Sequence, residues 1–158
     1  MASLVSIDVQ IASKSDSIPD NEEIESWLTR AVRGSVQKGD LEISIRIVDE
    51  IEGRQMNKRF RAQDKATNVL SFPAELPEWP VDTPKILGDI VICGPVVERE
   101  ALEQGKQIGD HWAHMLVHGA LHLLGYDHES DEDAKLMESL ETELLAKRGI
   151  ADPYAIRP

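Results

Sequence analysis

The stretch from Trp112 to Leu124 reads WAHMLVHGALHLL and is apolar on nearly every side at helical spacing, through Trp112, Met115, Leu116, Val117, Leu121, Leu123 and Leu124. A helix without a polar face has to be enclosed by the rest of its protein, so the fold is expected to be built around this one. Yet the same helix carries His111, His114, His118 and His122. His118 and His122 are four residues apart and therefore share a side, one turn above the other. Gly125 then offers the positive φ at which a helix can end and the chain reverse. After that reversal His128 can approach the pair from a new direction. Three neutral imidazoles converging on a point, with a fourth position open, form the donor set of a catalytic zinc site. A closed structural site would want a fourth protein ligand, usually cysteine, and none lies nearby in the sequence.

The order His-x3-His-x2-Gly-x2-His matches the ligand spacing of metzincin proteases, whose pattern is HExxHxxGxxH. The residue after the first histidine is Gly119, however, where a protease carries the glutamate that serves as general base. Without that carboxylate, metal-assisted peptide hydrolysis lacks its proton acceptor. The pattern therefore predicts a metal hydrolase site with another substrate.

With 158 residues the chain has the size of one domain with a sizeable core. No apolar run approaches the ~20 residues that cross a bilayer, and MASLVSIDVQIASKSDS lacks the basic start and long apolar stretch of a secretory signal. Cys93, the single cysteine, cannot form an internal disulfide and reads as a buried strand residue in GDIVIC. Together these features point to the cytoplasm. A net charge of −12 argues against a protein that coats nucleic acid nonspecifically. Against that background RQMNKRFRAQDK, from Arg54 to Lys65, holds five basic residues and one acid, Asp64. Such a local patch suits a chosen phosphate contact, although a solvated helix face would read the same way. ESDEDAKLMESLETE, from Glu129 to Glu143, is strongly acidic and reads mostly as a solvated face.

Leu4 to Ala12 and Leu41 to Val48 alternate apolar and polar residues as half-buried strands do. Between them, Pro19 to Gln37 has helical spacing through Ile24, Trp27, Leu28, Ala31 and Val32, with Asp20 and Asn21 at its start. Asp49 is placed to cap a second helix from Glu50 to Phe60. TNVLSFP and LGDIVIC are two further strands, separated by a loop that Pro73, Pro77, Pro80 and Pro84 keep from regular structure. Pro95 to Gln107 predicts a helix, Asp110 a cap for the histidine helix, and Asp131 to Arg148 a final helix packed through Leu136, Met137, Leu140, Leu144 and Leu145. The expected fold is α+β: a small mixed sheet of about four strands packed with about five helices, in a single domain spanning 1–158.

HGALHLLGYDH, DKATNVLSFP and LGDIVI together resemble the YbeY family in order and spacing, and the likeness extends over most of the chain. That resemblance implies a bacterial zinc-dependent endoribonuclease with one Zn2+ held by His118, His122 and His128. It also implies single-stranded RNA as substrate, and a role at the ribosome in 3′-end maturation of small-subunit rRNA and in quality control. No membrane and no DNA partner is expected. The family's functionally important arginine falls on Arg61 in FRAQDKATNVLSFP, while Gln63 and Ala66 depart from the family pattern in the adjoining loop. Arg61 offers a permanently charged planar fork for a phosphate.

Arg61 and His114 are thus the catalytic candidates. His114, one turn before His118, is open to two readings: a proton carrier or substrate contact, or a core histidine bonded to a backbone carbonyl. His111 reads as a helix-start or surface residue. Asp127 can orient a ligand or brace the turn, and the turn is the preferred reading. Asn68 and Ser71 can line a cleft floor or serve the hydrogen bonds of a strand end. Three imidazoles suit other transition ions besides zinc. Two other functions remain open: a zinc hydrolase of another substrate class, and a zinc-stapled ribosome assembly factor without catalysis.

Overall fold

A computed structural model describes residues 4–33, 40–74 and 85–155. Its elements run β1 (Val5–Ala12), α1 (Asn21–Arg33), β2 (Leu41–Val48), α2 (Glu50–Arg61), β3 (Val69–Pro73), β4 (Lys85–Cys93), α3 (Gly94–Gln104), α4 (Ile108–Leu123) and α5 (Asp131–Ala146). The four strands form one sheet in the order β1-β2-β4-β3. β1, β2 and β4 are parallel, and β3 runs antiparallel to β4 at the edge. The architecture is the expected α+β fold with a mixed sheet. The prolines at 77, 80 and 84, and the end of the helix expected to reach Gln37, lie outside the described residues.

Strand alternation assigns the two faces. Ile43, Ile45 and Ile47 of β2 and Ile90 and Ile92 of β4 pack under α1 and α4 in the main core. Val91, Cys93 and Leu70 point the other way, into a smaller cluster with Val96 of α3, against which Met56 of α2 packs. Cys93 is the buried strand residue expected, and burial pushes its thiol pKa up. α4 contacts α1, α3, α5, β3 and β4, and Trp112, Leu116 and Val117 are fully buried. The helix that is apolar all round is the hub of the fold. No helix among the described residues is long and apolar enough to cross a membrane.

Several helix starts follow their sequence signals. The Asp20 carboxylate accepts a hydrogen bond from the Glu23 amide at 2.8 Å, opening α1. Ser130 does the same for Asp133 at the start of α5, where three acids complement the helix dipole. Pro95 occupies the first turn of α3. Asp49 precedes α2, but its carboxylate turns away to accept from Ser13 and the Lys14 amide.

Three expectations change. α4 begins at Ile108 after Gln107, because the His111 amide already donates to the Gln107 carbonyl at 3.1 Å; Asp110 lies inside the first turn and is not the cap. His111 is buried, with its Nε2 3.0 Å from Glu100 of α3, so it is neither a surface residue nor the start of the helix. On α5 the buried residues are Met137, Glu141 and Leu145, at i, i+4 and i+8, while Leu136 sits one position off that stripe and is exposed.

Candidate metal centre and its cleft

Gly125 makes the centre possible. It adopts φ 101°, its amide bonds the His122 carbonyl at 3.0 Å and the Tyr126 amide reaches back to Leu121 at 3.1 Å. This paired closure is a Schellman motif, and it sends the chain back over the end of α4. The Asp127 carboxylate then accepts from the His128 amide at 2.6 Å, so Asp127 braces the turn. The His128 ring arrives stacked on His118 at 5.4 Å and edge-on to His122 at 5.0 Å, while His118 and His122 lie 4.7 Å apart.

Each of the three histidines offers one ring nitrogen to a common point, these atoms all lying within 4.8 Å of one another. The Nε2 atoms of His122 and His128 face each other at 3.3 Å. An ion bound tetrahedrally at about 2.0–2.1 Å from each nitrogen would separate its ligands by about 3.3–3.4 Å, so the spacing fits such an ion. Protonation fits too. Burial, then the neighbouring charges of His118 and His128, hold the His122 pKa down to about 4, leaving it a neutral base at pH 7.

Behind the three rings lies a carboxylate the sequence reading did not single out. Glu141 of α5 is fully buried, and its Oε1 accepts from His118 Nδ1 at 3.0 Å. That bond leaves Nε2 as the His118 nitrogen for the cluster, the arrangement by which outer carboxylates orient metal-binding histidines. Glu141 Oε2 also meets His114 Nε2 and takes a hydrogen bond from the Tyr154 hydroxyl at 2.8 Å. Burial alone would raise this carboxyl, but the bonds to His114 and His118 outweigh it and hold its pKa down at about 2. His114, His118 and Glu141 also form a second group of donors close enough for a cation. Both carboxylate–imidazole contacts have hydrogen-bonding reach, so protons account for this inner group.

His114 is therefore one layer behind the cleft, buried, with Glu141 and not a backbone carbonyl as its partner. Burial lowers its pKa, and its Nδ1 has no partner among the described residues, both of which favour the neutral ring. The sequence did hold a signal for Glu141: an acid in the apolar stripe between Met137 and Leu145.

The three histidines form one wall of a cleft of about 410 Å³, with Arg61 and the run from Thr67 to Ser71 opposite. Arg61 ends α2. The turn after it places Ala62 at φ 58°, an uncommon conformation for a residue with a Cβ, held by bonds from the Ala62 and Gln63 amides to Lys58 and Asn57. Asn57 Nδ2 ties the following loop through the Lys65 carbonyl at 2.8 Å. The two residues departing from the family pattern lie in this loop, where Ala66 packs against the smaller core cluster. The Arg61 guanidinium sits 5.2 Å over the Phe72 ring, and Nη2 donates to the Ser71 carbonyl at 2.8 Å. Arg54 is paired bidentately with Asp64, and Arg59 lies over Phe60.

Asn68 fills both roles left open for it, since its Oδ1 accepts from the Val69 amide that opens β3, while Ser71 lies inside that strand. They line the cleft; Ser71 also donates to the Gly119 carbonyl at 3.0 Å, and Asn68 donates to Glu100. No described residue lining the cleft is acidic. Gly119 itself faces the sheet, where an added Cβ would lie 3.0 Å from Ile90 and 3.2 Å from Val69. The position where a protease carries its base thus has no room for one. Gly119→Glu is expected to produce no peptidase and to destabilise the protein by about 3 kcal/mol or more, through overpacking and a buried charge. At this chain length that amounts to a Tm drop of roughly 6 °C or more, measurable by thermal melting.

Fold and site together define an α+β protein with a three-imidazole centre opening onto a cleft that bears Arg61 and, among the described residues, no acid. The family model described as Endoribonuclease YbeY matches residues 8–149. Similar proteins named Endoribonuclease YbeY include one from Cellvibrio japonicus, 53% identical over 148 residues, covering 94% of this chain and 82% of that one. Another, from Pseudomonas putida strain W619, is 52% identical over 152 residues, covering 96% and 94%. The solution structure of TM1509 from Thermotoga maritima aligns with a TM-score of 0.56 at 25% identity over 94% of this chain and 99% of that one. The chain belongs to the Endoribonuclease YbeY family.

Proposed function

We propose that this chain is a zinc-dependent endoribonuclease that cleaves single-stranded RNA, with His118, His122 and His128 as metal ligands and Arg61 as the phosphate-binding catalytic group. The observation that carries this reading is the convergence of three imidazoles and a guanidinium on one cleft. Membership of a family whose characterised name is endoribonuclease supports the substrate class. A cleft whose described lining holds no acid tolerates a polyanion that the net charge of −12 would otherwise repel. Within this reading the described fold and the remaining residues of 1–158 act as one unit in the cytoplasm, on the 3′ end of small-subunit rRNA and at the ribosome.

Each group has a task that its surroundings suit. When bound, zinc supplies a Lewis acid and lowers the pKa of bound water to ~7. His118 presents Nε2 because Glu141 occupies Nδ1. His122 presents a neutral nitrogen because burial disfavours its cation. Arg61 gives one Nη2 hydrogen to the Ser71 carbonyl with its guanidinium over Phe72, and the second Nη2 hydrogen leaves one edge of the planar fork for phosphate oxygens. His114 holds Glu141 and does not meet substrate directly.

The test is a digestion of one RNA sequence presented as a single strand, as a duplex and as its DNA counterpart, with zinc-loaded protein. Cleavage of the single strand alone is expected. An intact single strand alongside verified zinc content would favour the assembly-factor reading and reject catalysis.

A further inference from the structure

We infer that Tyr154, on the segment after α5, is a positioning residue of the metal centre, acting through Glu141 on His118. The inference rests on the metal-site reading above and extends it to the C-terminal segment.

The path to Tyr154 is built step by step. α5 closes at Gly149, whose amide bonds Ala146 at 3.0 Å while the Ile150 amide reaches Leu145 at 3.1 Å. The chain thus turns back along α5, and Ile150 packs against the main core. Asp152 then forms a side-chain turn, accepting the Tyr154 amide at 2.9 Å, and the Ala155 amide closes onto the Asp152 carbonyl at 3.2 Å. The turn directs the phenol inward. Its hydroxyl lies 2.8 Å from Glu141 Oε2 and 3.1 Å from His114 Nε2, and its ring meets His114 edge-on at 5.3 Å.

The consequence lies in the carboxylate's orientation. Glu141 is buried in the core, where a polar group is retained only with hydrogen-bond partners, and each of its oxygens has one. His114 and Tyr154 converge on Oε2, which fixes the plane of the carboxylate and directs Oε1 at His118 Nδ1. Tyr154 remains 42% exposed although its hydroxyl is inside, so the segment carrying it is within reach of anything bound at that end of the molecule. The phenol cannot act as a base, since burial and then the charge of Glu141 raise its pKa.

The experiment measures zinc affinity of the full chain by competition with a chromophoric chelator, alongside thermal melting. Wild type, Tyr154→Phe, Glu141→Gln and the double variant are compared. Wild type is expected to bind one zinc per chain. Glu141→Gln should bind it about 10–100-fold more weakly, the usual loss for an outer partner of a metal ligand. Tyr154→Phe should weaken binding in the same direction by roughly 3- to 10-fold, and should add little in the Glu141→Gln background, because the two act on one path. Tyr154→Phe removes a single oxygen from a half-exposed residue, so it remains informative if Glu141→Gln does not fold. Wild-type affinity in a folded Tyr154→Phe protein overturns the inference and leaves the metal site standing. Two zinc ions in wild type, one of them lost in Glu141→Gln, also overturn it, because Glu141 would then be a ligand. A wild-type chain that binds no zinc overturns both the inference and the reading beneath it.

Discussion

His122→Ala is expected to lose stoichiometric zinc and to reduce RNA cleavage by roughly 10³-fold or more, while the protein stays folded. The size follows from what the ligand set supplies: several kcal/mol of charge stabilisation at the reacting phosphate, with each 1.36 kcal/mol worth tenfold in rate. Two imidazoles hold the ion far less well than three, so the loss should exceed the effect of any outer partner. The fold should survive because His122 is only half-buried, and the apolar residues that pack α4 lie elsewhere on the helix. Circular dichroism, metal analysis and cleavage on the same samples give the comparison. An unfolded His122→Ala protein would mean that the ion staples the fold. A folded, zinc-free and fully active one would point to a contaminating nuclease.

Arg61→Ala is the second large effect, and its signature differs. Cleavage should fall by about 10²–10³-fold, the usual cost of removing one preorganised donor to transition-state charge, with zinc content unchanged. Arg61→Lys should recover only part of the loss, because an ammonium cannot make the paired contact of a planar guanidinium. Stability should change by about 1 kcal/mol at most, since only one bond to Ser71 and an exposed stack on Phe72 are given up. Activity within twofold of wild type in Arg61→Ala would remove Arg61 from the mechanism.

Much of this site was legible because its information is local. His118, His122, Gly125 and His128 span one helix end, and the periodicity that places two of them together is the helix's own. The same holds for the alternation of β1 and β2 and the all-round apolar character of α4. The unread parts depend on distant partners. Glu141 is 23 residues from His118, and its function exists only once α5 lies against α4. His114 could be placed one turn from the ligands, but not one layer behind them, because its partner comes from α5. The burial of His111 has the same origin, because its partner is Glu100 on α3. Sheet order belongs here too, since nothing local specifies that β4 inserts between β2 and β3. Leu136 shows the limit of composition, one position off a stripe in which an acid is buried and a leucine exposed.

The most direct measurement of the central claim is a titration of zinc into metal-free protein, following cleavage of a single-stranded RNA at each addition. No cleavage is expected at the start, followed by a rise in proportion to bound zinc and a break at one ion per chain. Full cleavage before any zinc is added, or saturation of the site with no cleavage at all, would contradict that claim.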